Sequence, residues 1–99
     1  MRIENLAPHI GDTFTIRLDG AQPLAVELAE VNDLRERTSD ARQPAGQRTP
    51  FSIVFRSASN VALPQRIYHL DHAALGGLEL FLVTIGPDAR GMRYEAIFT

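Results

Sequence analysis

The feature that most constrains this chain is an apolar run with sharp ends at residues 78–85. Only Glu79 and Thr84 interrupt the run, a Gly-Gly pair stands before it, and a Gly-Pro-Asp sequence follows it. An apolar run of this length between turn residues is typical of a buried β-strand. Because every other candidate strand is shorter or alternates cleanly between apolar and polar residues, we predict that residues 78–85 form a central strand covered on both faces.

Further segments of the chain alternate between apolar and polar residues, which is the pattern of half-buried strands. These segments are residues 12–18, 24–28, 51–56, 66–70 and 92–98. Asp19-Gly20 predicts a hairpin turn after the first segment, and Gly86-Pro87 predicts a β-turn with proline in its second position. We therefore predict an all-β fold, a small antiparallel barrel or sandwich of about six strands that ends in a C-terminal meander.

Residues 24–34 carry two competing patterns. Leu24, Val26 and Leu28 alternate with polar or small residues, as in a strand. A helix with Pro23 at its first position would instead place apolar residues along one helical face. The preceding hairpin signal favours the strand, and the helix is the alternative.

The length of the chain, 99 residues, is sufficient for one hydrophobic core, so we treat residues 1–99 as a single domain. Residues 32–50 are polar throughout most of their length, which predicts a long loop inside that domain. The loop is either a solvated connection or a partner-binding segment. In the second interpretation its arginines would form bidentate contacts with the carboxylates of a protein partner, and these are Arg35, Arg37, Arg42 and Arg48.

The composition argues against several classes of function. The chain has no cysteine, which excludes disulfides, thiol catalysis and zinc–thiolate sites. A net charge of -2, with both signs interspersed, argues against a nucleic-acid partner, because nucleic-acid binding requires a basic face. The first residues lack the apolar region of a signal peptide, and no segment approaches the length of a membrane span, so we expect a cytoplasmic protein without a membrane contact.

One cluster contains residues of the metal-ligating type, namely His69, Asp71 and His72. In a strand, His69 and Asp71 lie on one face and His72 on the other, so the three converge on a metal only where the chain bends sharply at Asp71. We favour a structural interpretation, in which Asp71 and His72 hydrogen-bond to the loop backbone before the central strand. No metal is assigned, and the three residues stay candidates.

No catalytic constellation is visible in the sequence. The serines stand outside a Gly-x-Ser-x-Gly motif and no lysine is present to act as a base. Gly76-Gly77 precedes a predicted strand and not a helix, so it does not indicate a phosphate loop. Tyr68 and Tyr94 fall on the inward faces of their strands and are predicted core residues. We assign no catalytic residue and no cofactor.

The C-terminal half contains a set of short motifs, mostly at core and turn positions: Pro64-Gln65, Tyr68, Leu70, His72, Leu75-Gly76, Leu80-Phe81-Leu82-Val83, Ile85-Gly86 and Tyr94-Glu95-Ala96-Ile97-Phe98. With two upstream segments, residues 10–14 and 51–56, the chain resembles a family of small bacterial β domains of unknown function over nearly its whole length. The resemblance implies a strand at residues 24–28 and defines no catalytic residue. Members tend to be encoded near phage-tail-collar-like proteins, which implies an accessory role in a tail-like or exported assembly.

Two functions are compatible with these observations, and we favour the first over the alternative. The first is a non-enzymatic protein-interaction or assembly module that offers its loop or an exposed edge strand to a protein partner, and an edge strand would also allow a homo-oligomer. The second is a small-molecule-binding or hydrolytic β-barrel. That alternative requires His69, Asp71, His72 and Glu79 to converge at one barrel mouth.

Overall fold

A computed structural model of the chain describes residues 3–34 and 50–98. These residues form a short helix, α1 (Ile3–Leu6), one 3-10 turn (Ala7–His9) and six strands. The strands are β1 (Thr13–Ile16), β2 (Leu24–Asp33), β3 (Phe51–Ser57), β4 (Arg66–His72), β5 (Gly76–Asp88) and β6 (Gly91–Phe98). No helix in the two described ranges is long and apolar enough to cross a membrane.

The six strands close into an antiparallel barrel. Their order around the barrel is β1-β2-β3-β6-β5-β4, and β4 returns to β1. The predicted all-β fold with about six antiparallel strands is therefore confirmed, and the structure selects the barrel over the sandwich. The C-terminal meander is also present, because β5 pairs with both β4 and β6.

The segment with two competing patterns is a strand. β2 pairs with β1 on one side and with β3 on the other, so its backbone belongs to the sheet. Val26 and Leu28 are buried, and a bulge after Leu28 returns Val31 to the core side of the strand. The helix alternative is wrong, because the apolar residues of this segment alternate toward one interior.

The loop predicted at residues 32–50 begins later than residue 32. β2 continues to Asp33, and the Leu34 N–H then donates to the Pro50 carbonyl at 3.0 Å, next to the start of β3. The four arginines predicted to bind a partner lie outside the described residues.

Side chains from all six strands fill the interior of the barrel. Phe14 and Phe55 meet edge to face, with ring centroids 5.1 Å apart, and Leu6 of α1 joins the same core. Tyr68 and Tyr94 are buried, as predicted. Both tyrosine hydroxyls donate to backbone carbonyls in the segment that connects β3 to β4 and hold that segment against the barrel.

The prediction that residues 78–85 are covered on both faces is wrong. Leu80 and Leu82 point into the barrel and are buried, whereas Phe81 lies between them on the outer face with 52% of its surface exposed. A barrel gives every strand one outer face, so an apolar run does not by itself report two-sided burial. The strand buried on both faces is β3. Phe51 and Phe55 face the interior, and Ser52 and Val54, which point to the outer side of the same strand, are also buried.

The turn after the apolar run also lies elsewhere than predicted. Pro87 is inside β5 and pairs with Met92, and the chain reverses at residues 89–90, between Asp88 and Gly91. The Asp88 carboxylate stabilises this turn by accepting the Arg90 N–H at 2.8 Å and the Gly91 N–H at 3.1 Å. Gly86 has a φ of 98° at a register shift between β5 and β6, so it marks a bulge and not a turn.

Closure of the barrel changes the prediction of an exposed edge strand. Within residues 3–34 and 50–98 every strand has a neighbour on each side, so none offers a full-length edge to a second copy. The shortest ladder of the barrel is that between β1 and β4, which has two residue pairs, Thr15 with Asp71 and Ile16 with Leu70. This junction is called the seam below.

Candidate functional site

The structure separates the predicted metal-type cluster into two groups. His69 and Asp71 lie on the outer face of β4, and the His69 Nε2 is 3.1 Å from the Asp71 Oδ1. The Arg17 guanidinium donates to both oxygens of Asp71, at 2.8 and 3.2 Å. This bidentate contact, and then the contact with His69, lowers the pKa of Asp71. The contact between Arg17 and Asp71 therefore links the end of β1 to β4.

His72 points inward, at the end of β4. Its Nδ1 accepts the backbone N–H groups of Ala74 and Leu75, both at 3.0 Å. The structural interpretation of His72 is confirmed by these two hydrogen bonds, which hold the loop that leads into β5. Asp71 does not share that role, because its carboxylate pairs with Arg17 and His69.

His72 has side-chain partners that no sequence pattern indicated. The His72 Nε2 is 2.8 Å from the Asp12 Oδ2, and the same oxygen is 2.9 Å from the His9 Nδ1. His9 and Asp12 are three residues apart in the stretch before β1, residues 3–12, which we call the lead-in segment, and that spacing could have suggested a local pair. Their meeting with His72 depends on barrel closure, because sixty residues separate Asp12 from His72.

The ligand atoms of His9, Asp12 and His72 lie within 4.8 Å of one another, which is close enough to surround a cation. The hydrogen bonds of His72 argue against that use. Its Nδ1 accepts two N–H groups, so the proton of the neutral ring is on Nε2, and no lone pair faces the carboxylate. The cluster is therefore a hydrogen-bond network, in which contacts with His9 and then His72 lower the pKa of Asp12.

The network lies at one end of the barrel and is fixed there by the backbone. The Leu28 N–H donates to the Asp12 carbonyl at 3.0 Å, and the Gly11 N–H donates to the Leu28 carbonyl at 2.8 Å. The Phe14 ring covers the imidazole of His72, with centroids 4.5 Å apart. These contacts tie the lead-in segment to the bulge of β2 and to β4, which is a structural task.

The residues required for a hydrolytic barrel do not converge. Glu79 is opposite His69 in the β4–β5 register and is exposed on the outer face with it. His72 is on the inner face, on the other side of the sheet. The four side chains thus divide between the two faces of the barrel wall.

A different feature of the barrel stands out as a surface. Four apolar residues form an outward patch across three neighbouring strands: Ile67 of β4, Phe81 and Val83 of β5, and Ile97 of β6. We call this patch the β4–β6 face. Ile67 is 64% exposed, Phe81 is 52% exposed and Ile97 is 60% exposed.

The register of the strands places these residues side by side. Ile67 is directly opposite Phe81, and Val83 is directly opposite Glu95, two residues before Ile97. Cross-strand neighbours on one face are close enough for their side chains to touch, so the exposed apolar surface is continuous between β4 and β5. The sequence alone does not reveal this patch, because the apolar run at residues 78–85 suggests burial on both faces. Only the closed barrel shows that one face of the run is on the outside.

Polar and charged residues flank the β4–β6 face at both ends. The pair of His69 and Glu79 lies at one end, and Glu95 and Arg93 lie at the other. An apolar centre with a polar rim is the composition of a protein-binding surface.

A family model described as "Domain of unknown function (DUF6916)" matches residues 1–98. No curated protein and no solved structure gave a match. The family match agrees with the resemblance to a small domain of unknown function.

Proposed function

We propose that this chain, which belongs to the DUF6916 family of domains of unknown function, is a non-enzymatic protein-interaction module that binds its partner through the β4–β6 face. The observation that carries the proposal is the exposure of Phe81 beside Ile67 and Ile97 on a barrel whose interior is already filled. Large apolar side chains grouped on the surface of a small protein mark interaction sites.

The chemistry of this face suits a protein partner. Phe81 offers a rigid aromatic ring, and aromatic side chains at the centre of an interface contribute large contact areas with little loss of conformational entropy. Complete burial of one such side chain contributes about 1.5–3 kcal/mol, so the half-exposed Phe81 retains roughly half of that for binding. The other apolar residues of the β4–β6 face add to this favourable free energy of binding, and the flanking charged residues would orient the partner.

The interior of the barrel supports this proposal over a ligand-binding barrel. Among the described residues, every buried side-chain nitrogen and oxygen has a hydrogen-bond partner within the protein. A small-molecule site normally keeps a few polar groups free to contact its ligand. The described interior of this barrel is thus a packed core whose buried side-chain polar groups are already hydrogen-bonded and are not free to contact a ligand.

The finer role that we propose is an accessory contact within a larger assembly. It rests on the resemblance to small domains encoded near phage-tail-collar-like proteins, together with the β4–β6 face. A partner from such an assembly would cover Phe81 and its neighbours with its own apolar surface.

The test is capture of the proteins encoded beside this gene by the purified chain. We expect the wild-type chain to retain at least one of them and Phe81→Arg to lose it, because the charge would be desolvated at the centre of the contact. Ile10→Arg is the matched control, since Ile10 is 51% exposed but lies outside the β4–β6 face. Equal capture by wild type and Phe81→Arg, or no capture at all, would contradict the proposal.

A further inference from the structure

The seam between β1 and β4 closes only part of the length of β4. Beyond its two paired positions, one more hydrogen bond continues the ladder, from the Arg17 N–H to the His69 carbonyl at 2.9 Å. The chain then leaves the barrel through the turn at Asp19-Gly20, where Gly20 has a φ of 70°. β4 extends further, to Arg66, so its first residues have β5 on one side and no β1 residue on the other.

The backbone of Ile67 faces this opening. In a strand, alternate residues direct their N–H and C=O groups to the same side. The His69 carbonyl faces β1, since it accepts the Arg17 N–H, and Ile67 two residues earlier faces the same way. No residue of the described chain pairs with Ile67 on that side. Ile67 therefore presents one donor and one acceptor at a short free edge.

A cleft of about 430 Å³ adjoins this free edge. We call it the seam cleft. Its walls combine apolar side chains with charged residues at the rim, and they include Leu18, Ala21, Leu63, Pro64, Arg66 and Ile67. A strand edge beside apolar pockets is the arrangement by which proteins add an extended peptide to a sheet, since backbone hydrogen bonds hold the peptide and pockets take its alternate side chains.

The charges of the seam cleft indicate the kind of peptide. The cleft is lined by one carboxylate, Asp19, and by two arginines, Arg17 and Arg66. Arg17 is already engaged by both oxygens of Asp71. The Arg66 guanidinium lies 5.8 Å above the centroid of the Tyr68 ring and forms no ion pair with any described residue. Arg66 thus remains a cation at the rim, held over an aromatic ring, where it can bind a carboxylate in bidentate fashion.

We propose that the seam cleft binds an extended, acidic peptide segment of a partner protein as an added strand beside β4. The peptide backbone pairs with the N–H and C=O of Ile67, and an Asp or Glu side chain of the peptide pairs with Arg66. This site goes beyond the proposed function, because it uses the backbone edge of β4 and the seam cleft; Ile67 is the residue that it shares with the β4–β6 face, and Phe81, Val83 and Ile97 lie outside it.

A selection with a phage-displayed library of random linear peptides on the full chain tests this inference. We expect enrichment of extended sequences with an acidic residue, and the synthetic forms of these peptides should slow amide exchange at Ile67 in NMR spectra. Arg66→Gln should weaken their binding by roughly tenfold or more, because it removes a charge-assisted hydrogen bond.

The variants at position 67 separate backbone from side chain. Ile67→Pro removes the N–H at the free edge and should abolish binding of the selected peptides, whereas Ile67→Thr keeps the N–H and should preserve it. Ile67→Pro should remain folded, since no bond of the barrel uses that N–H. Failure of Ile67→Pro to fold would overturn the inference, because it would show that the amide is needed within the barrel.

Other outcomes also decide the matter. Absence of any enriched peptide, or unchanged affinity of the selected peptides for Ile67→Pro, overturns the inference. Peptides that lose binding to Phe81→Arg but bind Ile67→Pro normally overturn it as well, and they would support the β4–β6 face instead. The peptide selection and the capture test can therefore fail independently.

Discussion

At the scale of single residues, His72 connects three parts of the chain through one imidazole ring. Its Nδ1 holds the N–H groups of the loop before β5, and its Nε2 reaches Asp12 of the lead-in segment. The His72 side chain is 5% exposed, so removal of the ring would leave a cavity beside Phe14 and would take the acceptor from the N–H groups of Ala74 and Leu75, whereas Asp12 is 44% exposed and would keep its contact with His9.

His72→Ala should therefore lower the free energy of unfolding by about 2–4 kcal/mol, which denaturant melts would measure. His69→Ala is the matched control and should cost less, because His69 is partly exposed on the outer face. Added zinc should leave the Tm of the wild-type chain unchanged, since the Nε2 of His72 carries the proton of the neutral ring. A zinc-dependent rise in Tm would instead show that His9, Asp12 and His72 bind a metal.

Asp88 determines a second prediction at this scale. Hydrogen bonds from Arg56 and then from the Arg90 N–H lower the pKa of Asp88 from 3.8 to about 2. Because the folded pKa is the lower one, the stabilisation is present above pH 3.8 and is lost as the pH falls towards about 2. Asp88→Asn should thus be less stable than wild type at neutral pH and should lose less Tm across this acid range.

The matched control for Asp88 is Asp19→Asn, in the exposed turn between β1 and β2. Thermal melts of this variant should show the wild-type loss of Tm in acid. An unchanged acid response in Asp88→Asn would mean that the ion pair of Arg56 with Asp88 contributes nothing to stability in solution.

At the level of the strands, the sequence predicts which segments form strands but not which outer faces of those strands are exposed to solvent. Alternation in the sequence correctly placed Phe51, Ile53 and Phe55 on one buried face of β3. It could not reveal that the outer side of β3 is covered while the outer side of β5 is exposed, because that depends on which strands and segments are neighbours. The contacts of His9 and Asp12 with His72 were hidden for the same reason, since closure alone brings distant residues together.

The alternation within β5 can be tested by two neighbouring substitutions. Leu82 is 1% exposed and points inward, so Leu82→Asp would bury an unpaired charge and should unfold the barrel. Phe81→Asp, one residue earlier on the outer face, should fold with a Tm near that of wild type. Circular dichroism melts of the two variants distinguish these outcomes, and a folded Leu82→Asp barrel would show that the inward assignment is wrong.

At the scale of the whole molecule, the barrel is closed but its ladders differ in length. β3 and β6 are paired through seven residue pairs, from Phe51 opposite Phe98 to Ser57 opposite Met92, whereas the seam has two pairs. Few backbone hydrogen bonds at a junction make local opening easier there than elsewhere.

Native-state hydrogen exchange should therefore be fastest at the seam among the strand junctions. We expect the paired amides of β1 and β4 to exchange by local opening, and those of β3 and β6 to exchange only with global unfolding. Equal protection of all junctions would show that the barrel opens as one unit and that the seam is no weaker than the other junctions.

Binding of a protein partner to the β4–β6 face is tested most directly by a hydrogen–deuterium exchange footprint of the chain in complex with a captured partner. We expect binding to slow amide exchange in β4, β5 and β6 around Ile67, Phe81 and Ile97 and to leave exchange in β2 unchanged. Protection confined to β2, or to the end of the barrel that holds His9 and Asp12, would contradict it.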